Sequence, residues 1–324
     1  MWSFTRRGIG HLMTAAAVLA ASGLPAAADD EKLSVVTTTG MIADAVANVG
    51  GDLVEVRSLM GPGVAPHAYR QTRSDIVAMT DADLVLWHGL YLEAQLEEFL
   101  LDLAERQPVV AVGEALPHAD LLPNDDYPDR FDPHVWMAPG LWTGVVTAIE
   151  EALIEVRPED EATFRANAEA YRAEVERLAA YQAEVLATVP EEARVLLTAH
   201  DAFNYFGDAY GFEVMGIQGI STESEAGLNR IGEIVNMLVE RRIGAVFVES
   251  SVSDRNVRAL IEGAAAQGHE VRVGGELFSD AMGEPGTYEG SYIGMIDHNA
   301  TTIANALGGA APERGMDDRL AAGM

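Results

Sequence analysis

Short apolar runs rich in β-branched residues alternate along this chain with segments whose apolar positions recur every three to four residues. The runs Leu33–Thr37, Val54–Met60, Leu84–Trp87, Val109–Val112, Arg194–Thr198, Glu213–Ile217, Ala245–Glu249 and Glu270–Val273 read as strands. Helical patterns lie between them, among them Ser74–Met79, Leu92–Glu105 and Ile231–Arg241. Such alternation predicts βα units and an α/β fold with parallel sheets. One segment breaks the rhythm. Asp160–Leu186 contains no Gly or Pro, is rich in Ala, Glu, Arg and Leu, and lies between Pro158 and Pro190. These are the composition and punctuation of one long helix, about 40 Å at 1.5 Å per residue. Between two βα halves it reads as a rigid strut rather than as one arm of a packed hairpin.

The first residues follow a different pattern. Arg6 and Arg7 precede the apolar run Leu12–Leu24, which ends in Pro25-Ala-Ala-Ala28 before the polar Asp29-Asp-Glu-Lys32. A basic start, a short apolar stretch and small residues before a polar switch describe a cleavable signal peptide. The run falls short of the about 20 apolar residues that span a bilayer. Thr5-Arg6-Arg7-Gly8-Ile9 also loosely matches a twin-arginine signal. The expected layout is a signal peptide over 1–28, an N-terminal βα lobe over 29–158, a linking helix over 159–188 and a C-terminal βα lobe over 189–324.

With 324 residues, 48% of them hydrophobic, the chain has material for two cores. It holds no Cys, which removes thiolate zinc sites, iron–sulfur clusters, cysteine nucleophiles and disulfide scaffolds. The formal charge of −30 repels nucleic acid and anionic membrane surfaces and attracts cations, so no nucleic-acid partner is expected.

Ligands of open α/β sheets bind beyond the carboxyl ends of the strands, and metal-capable side chains fall there repeatedly. His67 follows Val54–Met60 through Gly61-Pro-Gly-Val-Ala-Pro66, and His88 closes Leu84–Trp87. His134 sits in Asp132-Pro-His-Val-Trp136, His200 follows Val195–Ala199, Glu249 ends Ala245–Val248, and Asp280 lies in Gly275-Glu-Leu-Phe-Ser-Asp280. Each alone has an ordinary structural explanation: His88 as donor to a carbonyl at a strand end, Glu249 as a cap for Ser250–Asp254. Several such groups at equivalent ends of two facing lobes point instead to a shared cleft. Imidazoles with a carboxylate suit Zn(II) or another first-row divalent ion. His118 belongs to an acidic loop, Pro117–Arg130, with Asp120, Asp125, Asp126 and Asp129, which reads as a solvated loop or as an outer site that collects metal. His298 reads as structural, His269 lies in a polar turn, and His11 falls in the signal segment.

At these positions the chain resembles the metal-binding solute-binding proteins of zinc and manganese ABC importers. The matching stretches are Met60–His67, Ala82–Glu93, Asp132–Trp136, Thr198–Phe206, Val246–Ser251, Leu277–Asp280 and Gly286–Asn299, in order through the chain after the signal segment. The resemblance implies two βα lobes joined by one backbone helix, with the metal in the cleft between them. It implies four ligands at His67, His134, His200 and Asp280, two from each lobe, and drops His88 and Glu249. It also implies a periplasmic protein that hands metal to a membrane permease driven by a cytoplasmic ATPase. A metallochaperone is a further candidate partner, and a monomer is expected. Three departures stand out: Ala65 where the family usually carries Asp before Pro-His, no long His-rich loop, and no lipidation Cys. The last leads to the expectation of a free, unlipidated periplasmic protein.

In this family a carboxylate as third ligand goes with manganese. His200 instead makes three imidazoles and one carboxylate, so Zn(II) is expected, with Mn(II) as the alternative and iron behind it. A periplasmic zinc hydrolase is the competing class. It would keep an open metal position and a general base, and no H-E-x-x-H, G-x-S-x-G or glycine-rich phosphate loop is found. An organic-solute cleft would favour more aromatic residues than the 7% present. A non-enzymatic metal-binding protein is the expectation.

Overall fold

In the computed structural model the described residues are 1–2, 32–124, 127–224 and 226–321. The expected signal peptide therefore lies outside the described residues apart from Met1 and Trp2, and Lys32–Met324 makes one compact unit. No helix among the described residues is long and apolar enough to cross a membrane.

The larger unit begins with β1 (Leu33–Thr37), α1 (Gly40–Gly50), β2 (Val54–Ser58), α2 (Arg73–Asp81), β3 (Leu84–Trp87), α3 (Glu97–Ala104) and β4 (Val109–Ala111). The strands form an all-parallel sheet in the order β2-β1-β3-β4. The order reverses beside β1, and loops leaving the carboxyl ends there open a crevice. Residues on both faces of β1 and β3 are buried, as in a sheet covered by helices on both sides. Met79, Leu96 and Leu100 pack against Val85 and Trp87 on one face, and α1 supplies Ile42, Val46 and Val49 on the other.

The C-terminal half contains β5 (Val195–Thr198), α6 (Asn204–Tyr210), β6 (Glu213–Gly216), α7 (Leu228–Arg241), β7 (Ala245–Glu249), α8 (Arg255–Ala266), β8 (Arg272–Leu277) and α9 (Tyr292–Ala306). Its strands make two parallel pairs, β5–β6 and β7–β8, set side by side through β5 and β7. The last strand runs further than the pattern Glu270–Val273 predicts. Gly274-Gly275 masks its continuation in the sequence, and a register shift at Val246/Phe247 accommodates the extra residue.

Between the halves run α4 (Pro139–Val156) and α5 (Glu161–Ala187), the long helix expected from composition. Phe164, Ala168, Tyr171, Val175, Leu178, Gln182 and Val185 of α5 are buried at alternating spacings of four and three, with Leu186 beside the last, which is one helical face. That face packs against α1 and α4 of the first half and α9 of the second. One continuous core cluster therefore spans both lobes, and the loops at the strand ends are carried on a shared support.

Candidate metal centre

Four loops converge where the carboxyl ends of the four-stranded sheet face those of the two strand pairs. His67 comes from the β2–α2 loop and His134 from the turn before α4. His200 lies two residues past β5 and Asp280 three past β8. One ligand-capable atom from each of these four residues lies within 4.8 Å of the other three. His67 Nε2 stands 3.2 Å from His134 Nε2, and Asp280 Oδ1 stands 3.5 Å from His134 Nε2 and 3.3 Å from His200 Nε2. Asp280 Oδ2 is 3.9 Å from His67 Nε2. Donors about 2.0–2.1 Å from one ion at tetrahedral angles stand about 3.4 Å apart, so the spacing suits a first-row cation. All four side chains are buried, and His200 Nε2 and both Asp280 oxygens have no hydrogen-bond partner. Buried polar atoms left in this state cost free energy, and a cation at their common focus would satisfy them.

Two of the imidazoles are oriented from behind. Asp132 Oδ1 takes hydrogen bonds from the His134 backbone N–H at 2.9 Å and pairs with His134 Nδ1 at 2.7 Å. Asn204 Nδ2 donates to the other Asp132 oxygen at 3.1 Å. Glu249 repeats the arrangement at His200: Oε1 accepts from the backbone N–H at 2.8 Å and Oε2 pairs with Nδ1 at 2.5 Å. With Nδ1–H held by a carboxylate, Nε2 is the nitrogen that faces the centre and offers its lone pair once it has given up its proton, the usual support of a metal-binding histidine. Trp136 Nε1 donates to Ser279 O at 2.8 Å and so ties the His134 turn to the segment before Asp280.

The electrostatics follow from this packing. Burial opposes the imidazolium at His134, yet Asp132 and Asp280 override it and push the group up to about 9. Burial is likewise outweighed at His200, where Asp280 and Glu249 hold it well above the usual histidine range. Burial pushes His67 down to about 3 despite Asp280. Burial would raise Asp280, but His200, His134 and His67 keep it well below the ordinary carboxylate range.

The remaining sequence candidates separate cleanly. Glu249 is at the centre's edge, behind His200 rather than in the cluster. His88 is fully buried with its ring edge-on to Trp136 at 5.1 Å between centroids, and burial pushes it down to about 3. His298 Nε2 donates to Glu276 O at 2.8 Å, and His269 Nε2 to Ile243 O at 2.7 Å, both structural. His118 packs on Phe131, and Asp125 and Asp126 of its loop lie outside the described residues. Among the described residues no second group of three metal-capable side chains forms. Asp132 escaped the sequence reading, although an Asp two residues before a His is the pattern of a side chain that bonds its own turn.

Comparison with known proteins places these observations. Residues 35–306 match the family described as zinc-uptake complex component A, periplasmic. The chain is 47% identical over 278 residues to the manganese-binding lipoprotein MntA of Bacillus subtilis, covering 86% of this chain and 90% of the relative. It is 46% identical over 287 residues to the zinc-binding protein TroA of Treponema pallidum, covering 89% and 92%. The solved structure of periplasmic TroA superposes with a TM-score of 0.83 at 45% identity, over 86% of this chain and 99% of that one.

One expectation is corrected by these relatives. The Bacillus protein is a lipoprotein by name, as is MntA of Halalkalibacterium halodurans, 32% identical over 279 residues. The expectation of a free, unlipidated periplasmic protein therefore does not stand. It rested on the absence of one residue type, and a missing side chain carries no information about which compartment or surface holds the protein.

Proposed function

The chain belongs to the zinc-uptake complex component A family, and from that premise we propose that it captures Zn(II) at His67, His134, His200 and Asp280 and delivers it to an ABC-type importer. Members of the family are substrate-binding proteins of transport systems that work with a permease and an ATPase. The observation that carries the reading is the convergence of four buried donors, two from each half, with two imidazoles held by Asp132 and Glu249. A set of four protein donors leaves no open position for an activated water, which favours holding a metal over hydrolysis. Three imidazoles and one carboxylate favour zinc over manganese by donor softness and the Irving–Williams order.

Manganese is the second reading, because the relative at 47% identity is named for manganese and the one at 46% for zinc. Capture then proceeds by loss of protons from the imidazoles as the ion takes their place. Because the donors come from both halves, delivery requires that the halves loosen.

The test is a competition titration of chelator-stripped protein with Zn(II) and Mn(II) against an indicator. One tight zinc equivalent, lost in His67→Ala and in Asp280→Ala, is expected, and His200→Asp shifts preference towards manganese. Tight manganese with weak zinc overturns the choice of metal. No tight metal at all overturns the site.

A further inference from the structure

The segment that carries Asp280 runs from the end of β8 to the start of α9, and one residue of the first half fastens it at both ends. At its start the Trp136 indole Nε1–H donates to Ser279 O at 2.8 Å. At its far end the Tyr292 hydroxyl donates to Trp136 O at 2.8 Å. Trp136 itself follows His134 by two residues and sets its ring edge-on to that imidazole, with centroids 5.1 Å apart. The turn that presents one ligand of the first half is thereby joined twice to the segment that presents a ligand of the second.

Tyr292 has two further anchors. Its backbone N–H donates at 3.2 Å to Asp44 Oδ2 of α1, an oxygen that also accepts from the Tyr171 hydroxyl of α5 at 2.8 Å. Its ring stacks on Trp142 of α4, with centroids 5.0 Å apart and planes 20° from parallel. Tyr292, Trp136 and Ser279 are buried, so water does not take over these bonds while the halves stay packed. A phenylalanine would supply the same ring packing; what the hydroxyl adds is one directed bond from the second half to the first. No atom of Tyr292 belongs to the four-donor set, so any effect on the metal passes through the residues that Tyr292 holds.

We propose that Tyr292 is a positioning residue that sets how long the metal stays bound. Its hydroxyl keeps the His134 turn and the Asp280 segment in register, and the ion leaves when the Tyr292–Trp136 and Trp136–Ser279 bonds open together. The inference rests on reading the four-donor centre as metal-binding. Release is where such a latch acts, because His134 and Asp280, one from each half, must part before the ion is free, and differences among related complexes fall mostly on dissociation.

A chelator chase of zinc-loaded protein, followed by stopped flow, tests it. In Tyr292→Phe the dissociation rate constant is expected to rise about tenfold, the factor that one lost hydrogen bond of the closed arrangement implies, with the single tight equivalent retained. Tyr181→Phe removes the hydroxyl that meets Thr301 Oγ1 at 3.0 Å. It is a matched loss between α5 and α9 that does not involve Trp136, and it leaves the rate unchanged. The Trp136 indole N–H, followed by hydrogen exchange in 15N NMR of the stripped protein, exchanges faster in Tyr292→Phe and at the parent rate in Tyr181→Phe. A zinc dissociation rate in Tyr292→Phe within about twofold of the unsubstituted protein, or an equal rise in Tyr181→Phe, overturns the proposal. Should Tyr292→Phe fail to fold, an unchanged rate in Asp44→Ala, which frees the Tyr292 backbone N–H, overturns it instead. If zinc does not bind tightly, the same chase with Mn(II) decides it. Absence of both tight metals in the unsubstituted protein defeats the four-donor reading; the indole exchange then still decides the latch, and equal exchange in Tyr292→Phe overturns it.

Discussion

Glu249→Gln isolates one feature of the centre, the carboxylate that sets the tautomer of His200. Glu249 Oε2 lies 2.5 Å from His200 Nδ1, and Oε1 accepts from the His200 backbone N–H at 2.8 Å. Both side chains are fully buried, so no water substitutes. A glutamine can keep the backbone bond only by placing its amide oxygen there, which turns its NH2 towards Nδ1. The imidazole must then carry its proton on Nε2, the nitrogen that faces the other three donors. Binding a metal requires returning the proton to Nδ1 against that NH2, leaving a buried donor unpaired at a cost of about 1–3 kcal/mol. Metal affinity is therefore expected to fall about 10–100-fold, in line with losses of groups that support ligands from behind. Glu249→Ala removes the support without reversing the tautomer and should lose less. The assay is indicator competition at neutral pH on stripped, folded protein, with 15N NMR reporting whether His200 is an imidazolium in the parent and the Nε2–H tautomer in Glu249→Gln. An affinity for Glu249→Gln within twofold of the parent, or a larger loss in Glu249→Ala, refutes the reasoning.

Two further outcomes follow from the charges around the site. His134 is up to about 9 and His200 well above the usual range in the metal-free protein, so both carry protons at pH 5–8 and must release them as metal enters. Log apparent affinity should then rise with pH across that window with a slope of about one to two, read by competition titration; a flat profile counts against it. His67, already neutral above about 3, adds nothing to the slope. Elsewhere, Glu93 accepts from Thr38 Oγ1 at 2.6 Å and from the backbone N–H groups of His88 and Gly89 at 2.8 and 3.1 Å. Burial outweighs these bonds and pushes its carboxyl up to about 7. A carboxyl with a raised folded value favours the folded state below its unfolded pKa and loses that contribution as pH rises through about 7, here up to about 3 kcal/mol. Glu93→Gln should lack that loss, seen as a smaller fall in Tm between pH 5 and pH 8; identical falls in both proteins refute it.

The strands were legible because buried parallel strands are short β-branched runs, and Leu33–Thr37, Leu84–Trp87 and Ala245–Glu249 have the bounds the pattern predicts. The long helix was equally plain, since 27 residues without Gly or Pro have few alternatives. Boundaries that depend on turns were less visible. The helix expected from Leu92 begins at Glu97, because Leu90 and Tyr91 adopt left-handed backbone conformations in the turn that Glu93 binds. At the site, residue type and position at strand ends narrowed the candidates to six. Choosing four of them needed the family resemblance, because nothing local distinguishes His88 from His134.

The class of fold, the long connecting helix, the acidic character and a short set of metal-capable side chains can thus be read from the residues in order along the chain. Each of these is a local or compositional property, written in periodicity, charge and residue type. That residues 67, 134, 200 and 280 meet within 4.8 Å, with Asp132 and Glu249 behind two of them, emerges from the folded arrangement alone. Those contacts depend on where four loops end up once α5 has packed both halves into one core. Long-range packing of that kind leaves no periodic trace along the chain.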